Sequence, residues 1–245
     1  MSIFRTIVFT AAAAGLCVGM AVTAIQHLRA VPLILKAEVY EKQAEEAKAA
    51  QAPANAVPAD HQHQHRGDHE HAAISWEPAD GFERNAYTAL FNVVEWTGFS
   101  LCLAGLLIIA RRPATWREGL FWGLGGFASV VLAPSLGLPP EPPGIPAADL
   151  VLRQNWWAAT VLATGLGIGL LALTRSVLAT VIGGLLIIAP HVIGAPHLAD
   201  LTTNVPHSLS RQFANAVLVT TFLSWILAGS LTGYFLSIFG RTEAQ

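Results

Sequence analysis

Charged side chains are scarce in this sequence: Asp, Glu, Lys and Arg make up 12% of its 245 residues, against about a quarter in ordinary soluble domains. So few charges cannot clothe a water-soluble surface, and 53% of the chain is hydrophobic. A positive excess is missing too. The net charge is -2, which leaves no basic stripe for nucleic acid. Cysteine is limited to Cys17 and Cys102, both inside apolar runs, where a thiol is a small hydrophobe and not half of a disulfide or a thiolate metal site. Any metal chemistry must therefore use histidine and carboxylate. No GxxxxGK[ST] segment is present to hydrolyse ATP, and no HExxH helix marks a metalloenzyme, so no catalytic role is expected.

What the chain does have is long apolar runs, and a helix that crosses hydrocarbon needs roughly 17 to 25 of them in succession. Six segments qualify: approximately Thr6–Gln26, Tyr87–Ala110, Gly119–Gly137, Trp156–Leu173, Val177–Ile193 and Phe213–Phe239. Only Thr174, Arg175 and Ser176 separate the fourth from the fifth. That pair forms a tight hairpin, or, as one broken element, lowers the count to five. The first segment follows Arg5 like a signal peptide, but its run is too long, and Leu16 before Cys17 is too bulky for a lipoprotein cleavage site. The expectation is an all-α, polytopic transmembrane helix bundle of about six spans with a long His-rich extracytoplasmic loop. It divides into a first span (1–30), a polar helix with a His-rich periplasmic loop (31–85), and a bundle of about five further helices with Pro-rich outer loops (86–245). The three glycines Gly123, Gly125 and Gly126 of the third span permit close helix contact.

Lys and Arg in short loops resist translocation. Arg111, Arg112 and Arg117 mark the connection between the second and third spans as cytoplasmic, and Arg5, Arg175 and Arg241 then fall on that side. Arg153 and Arg211 count against the assignment. Both termini are then inside, and the insert 27–84, the Pro-rich loop 138–155 and the loop 194–212 face outward.

The outward insert concentrates metal-binding groups. His61, His63, His65, His69 and His71, five of the nine histidines, fall within eleven residues together with Asp68 and Glu70. Alternate positions of an extended chain lie on one side, roughly 7 Å apart, and imidazole suits Zn, Cu, Ni and Co. Before this tract, residues 37–50 form an exposed helix supported by Glu38 and Lys42 at i,i+4. Pro53 and Pro58 then make a tether that keeps captured ions at high local concentration.

A second concentration is Pro190-His191, Pro196-His197, Asp200 and Pro206-His207. Proline ahead of each histidine disrupts the helix and frees carbonyls, and these side chains are expected near the outer mouth. His27 ends the first span there as a further mouth ligand. Within the second span, Glu95 and, one turn earlier, Asn92 are the candidate ion pathway, because an intramembrane carboxylate usually faces a bundle interior or water. The stretch Leu138–Pro146, with Glu141, reads as a Pro-stiffened lid, and Trp156-Trp157 as an interfacial aromatic pair.

Val31-Pro32-Leu33-Ile34-Leu35-Lys36-Ala37-Glu38, Asn92-Val93-Val94-Glu95, Leu138-Pro139-Pro140-Glu141, Arg153-Gln154-Asn155-Trp156-Trp157 and Pro190-His191-Val192-Ile193-Gly194-Ala195-Pro196-His197 together resemble the CbtA family of proposed cobalt transporter subunits. The resemblance covers nearly the whole chain, and the double Pro-His segment is its most specific part. It implies a bacterial inner-membrane permease subunit associated with cobalamin supply, with cobalt as the transported or bound ion and Ni or Zn as alternatives. It also implies a small single-span, histidine-bearing partner of the CbtB type. A homo-oligomer is a further possibility, and no nucleotide is called for. The family is described with five spans, where the apolar runs here number six.

Overall fold

In the structure, a computed structural model, residues 2–51, 78–79, 81–198 and 203–241 are described. The tract His61, His63, His65, His69 and His71, and Asp200, lie outside the described residues. Among those described the chain is helical with no strand. In chain order the elements are α1 (Ile3–Arg29), α2 (Val31–Gln51), α3 (Phe82–Ile109), α4 (Trp116–Phe127), a π-helical turn (Ala128–Leu132), α5 (Ala133–Ser135), α6 (Leu150–Leu173), α7 (Val177–Ile193) and α8 (His207–Arg241). Four of them, α1, α3, α6 and α8, are long and apolar enough to cross a membrane. The 17-residue α7 is shorter, and α4, the π turn and α5 follow one another without interruption from Trp116 to Ser135.

Proline sets the breaks. Pro32 has no N–H to offer the Leu28 carbonyl, and the helix breaks at Ala30, whose carbonyl accepts from both Leu33 and Ile34 at 3.0 Å. The polar helix predicted over residues 37–50 is thus part of a separate helix, α2, that begins at Val31. Farther on, Pro134 lacks the N–H that would bond one turn back. The chain widens just before it into the π turn, and Ser135 donates to the Val131 carbonyl at 2.6 Å. The third predicted span is therefore a kinked column and not one α-helix. At its start Thr115 caps the Glu118 N–H at 3.2 Å.

Small residues set the crossings. Gly15 and Gly19 press on the backbone of Thr97 and Val93, which runs α1 antiparallel to α3. Gly119 and Gly123 meet Trp225, Gly229 and Gly233 backbone to backbone, which runs α4 antiparallel to α8. Gly167 and Gly183 join α6 to α7 in the same way, while Ile168 and Gly165 lie against Gly125 and Ser129. At each of the tight positions an added Cβ would overlap the neighbouring helix, so glycine is what allows the approach. Of the three glycines singled out in the third span, Gly123 and Gly126 are used this way, whereas Gly125 meets Ile168 at an ordinary 3.9 Å.

The result is a compact cluster of α1, α3, α4 and α8, and a hairpin of α6 and α7 that attaches along the α4–α5 column. Within the cluster Trp225 packs edge-on to Trp96 and tilted against Phe99, at 5.6 and 4.8 Å between ring centres, over Val18, Val22, Leu103 and Ala228. Successive columns alternate in direction. One end of the molecule gathers the end of α1, α2, the start of α3, the loop after α5, the end of α7 and the start of α8. The opposite end carries Arg5, Arg111, Arg112, Arg117 and Arg175.

Candidate functional site

All four described histidines, His27, His191, His197 and His207, belong to the end opposite those arginines. Three chain segments meet there. α2 buries Ala37 against Val205 and Leu209, with Leu33, Tyr40 and Ile145 packed around them. The Pro-rich loop turns at Gly144, whose φ of +82° suits a residue without a side chain, and Gly144 packs on Glu41 and Val205. The Thr203 hydroxyl donates to the Gly144 carbonyl at 2.9 Å. Arg84, at the start of α3, completes the cover through a 2.7 Å ion pair with Glu38 of α2.

The hairpin closes the other side. The buried Trp156 donates its indole N–H to the Pro190 carbonyl at 3.2 Å and sets its ring edge-on to His191, 6.2 Å between centres. Gly137 lies flat against Trp156 and Ala195. Hence the lid, the start of α6 and the first Pro-His unit lock together at one indole. Beside this lock a cavity of about 400 Å³ opens between the π turn, the lid and α6, and its polar lining is Ser135, Glu141, Arg153 and Gln154. Trp157, the other half of the aromatic pair, forms part of its wall.

His191 is half-buried against Trp156, while His27, His197 and His207 are exposed. No three His, Cys, Asp or Glu side chains stand close enough to hold a metal ion together among the described residues. The structure therefore brings these histidines to one end of the bundle without drawing the described ones into a ligand set.

The pathway pair separates. Asn92 is buried and its amide donates to Thr23 at 2.9 Å and Gln26 at 2.8 Å, fastening α3 to α1. Glu95 is exposed on the outward face of α3, so the two do not share the interior face expected of them. One turn of helix rotates position i+3 by about 60° from i, enough to carry Glu95 past the edge of the packed surface. Glu118 was not singled out from sequence, yet it collects Arg112 and the Trp122 indole N–H at the arginine end. A Thr-x-x-Glu capping spacing at Thr115 is the signal that could have found it.

Comparison with curated proteins and with solved structures gives no match. The sequence model described as probable cobalt transporter subunit (CbtA) matches residues 4–237, and the chain accordingly belongs to the CbtA family.

Proposed function

We propose that this chain is the permease subunit itself, carrying a divalent transition-metal cation, cobalt foremost, inward across the cytoplasmic membrane of a bacterium. The observation that carries the reading is that all four described histidines share one end of the bundle, opposite Arg5, Arg111, Arg112, Arg117 and Arg175; of these Arg112 is paired with Glu118, and Arg29, Arg84, Arg153 and Arg211 lie at the histidine end. Arginine-rich ends stay cytoplasmic, so the histidine end is the outer one, and six alternating columns return both termini inside. Glu41 and Phe82, on the helices that flank the tract His61–His71, also belong to the outer end. The tract acts there as a collector, and His191, His197 and His207 with Asp200 replace part of the water shell of the ion as it enters. Imidazole and carboxylate are apt donors for such an ion. An inside-negative potential of 100 mV favours entry of a divalent ion by about 4.6 kcal/mol, so no nucleotide is required.

A receptor that hands metal to a separate permease is the rival reading, favoured by the family description as a subunit. Purified chain in liposomes, given radioactive Co2+, separates the two: the permease fills the lumen and the receptor binds ion only at the surface. Substituting Ni2+ and Zn2+ in the same assay reads selectivity. Removing residues 61–71 is expected to slow uptake at low metal and spare it at high metal; loss at every concentration would refute the collector role.

A further inference from the structure

The outward face of α3 carries a pattern that the packed bundle does not use. Phe91, Glu95, Gly98, Cys102, Gly105 and Ile109 follow one another at spacings of four and three, the 3.5-residue repeat of a helix seam. The opposite face holds the buried Asn92, Trp96, Ser100, Leu103 and Leu107. Five of the six stripe residues are exposed, and Gly105 is half-buried. A Cβ on Gly98 or Gly105 would meet nothing, unlike the paired glycines that join α1 to α3 and α4 to α8. Glu95 is the fourteenth of the 28 residues of α3, roughly 20 Å from either end at 1.5 Å per residue. Its carboxyl therefore faces the mid-depth of the hydrocarbon, and it makes no hydrogen bond or ion pair among the described residues. A carboxyl at that depth belongs against protein or water and not against lipid.

We propose that this face is a two-fold interface between two copies of the chain, with α3 packed parallel to α3 and the two Glu95 carboxyls hydrogen-bonded to each other. An axis normal to the membrane keeps every residue at its own depth. Each member of the stripe then meets its own counterpart, and Glu95 finds a partner without any other chain. Two carboxyls that share a proton make such a contact. Gly98 and Gly105 let the backbones approach on its C-terminal side, and one polar residue in an otherwise apolar seam fixes the register. The interface adds to the transport reading and does not depend on it.

Cys102 belongs to the same seam, and Cys17, the other free cysteine, lies on α1 outside it. Full-length protein in membrane vesicles, treated with copper phenanthroline, is expected to yield a covalent product of twice the 26.0 kDa chain mass. The product persists in Cys17→Ser and vanishes in Cys102→Ser. Glu95→Leu should lower dimer association by about tenfold, the scale of one interhelical hydrogen bond in a membrane, while Glu95→Gln, which can still pair, retains it. Absence of cross-linking through Cys102, a product of another mass that marks a foreign helix on this face, or equal dimerisation in Glu95→Leu and wild type would each overturn the proposal.

Discussion

The α1, α3, α4, α8 cluster and the α6–α7 hairpin use the same device to different extents. Both are held by glycines that let one backbone touch another, Gly119 and Gly123 on Gly229 and Gly233 in the cluster, Gly167 on Gly183 in the hairpin. In the cluster those contacts interlock: α8 packs on α1, α3 and α4, and an aromatic triad fills the middle. In the hairpin they stop at one pair, since α7 packs only on α6. The difference teaches that local tightness is not the same as integration. The Pro190-His191 unit rides on the less integrated part, held to its neighbours by a single indole, whereas the segments around Val205 and His207 are fixed to the cluster through α2 and α8.

The sharpest way to break this comparison is to put the same side chain on each part. Gly229→Leu forces α4 and α8 apart at a backbone contact, and it is expected to cost about 3 kcal/mol or more and to lower the thermal midpoint in detergent or prevent assembly altogether. Gly184→Leu, on α7, meets open space and should stay within about 0.5 kcal/mol. Equal damage from both would mean that the hairpin is as deeply packed as the cluster. Next in size is Asn92→Leu, which removes two hydrogen bonds between α1 and α3. A loss of about 1–2 kcal/mol follows, read by the same melt.

Trp156→Phe probes the hairpin alone. It keeps the ring and deletes the indole N–H that reaches Pro190, at a cost of about 1 kcal/mol. If that bond is what holds the first Pro-His unit, His191 should react faster with diethyl pyrocarbonate in the variant while the melting midpoint of the cluster barely moves. Unchanged reactivity would show that the lid and Ala195 hold the unit by packing alone.

Much of the bundle is legible in the sequence because hydrocarbon imposes one length and one polarity on any helix that crosses it. Four of the six apolar runs fall on helices long enough to cross, the run Gly119–Gly137 outlasts a kinked column that ends at Ser135, and the run Val177–Ile193 is the shorter α7; of the glycines that pair at spacings of four, only Gly123 is singled out from sequence. The facing of a single residue is harder to read. In lipid both sides of a helix are apolar, so periodicity does not say which side is inside, and Glu95 is expected inward by analogy with other intramembrane carboxylates but lies outward. The π turn was equally hidden: Pro134 announces a disturbance without saying whether the chain kinks or widens. The gathering of Trp156, Gly137 and Ala195 depends on residues far apart in sequence, and no local pattern encodes it.

The smallest expected effect belongs to the arginine end of the cluster. Glu118 lies in the first turn of α4, one residue ahead of the apolar run Gly119–Gly137, where hydrogen bonding from the Arg112 guanidinium holds its carboxyl below the ordinary value of 4.5, the indole N–H of Trp122 adding to this and partial burial opposing it. A carboxyl lowered in the folded state contributes stability above its unfolded value and loses that contribution as pH falls through the folded one. The melting difference between wild type and Glu118→Gln should therefore be steady near neutral pH and shrink as pH drops below 4.5. Because Arg112 is well exposed, added salt should narrow the same difference at neutral pH. The Trp156→Phe effect on His191, which involves no charge pair, should ignore salt, so the two ends of the molecule can be told apart by ionic strength alone.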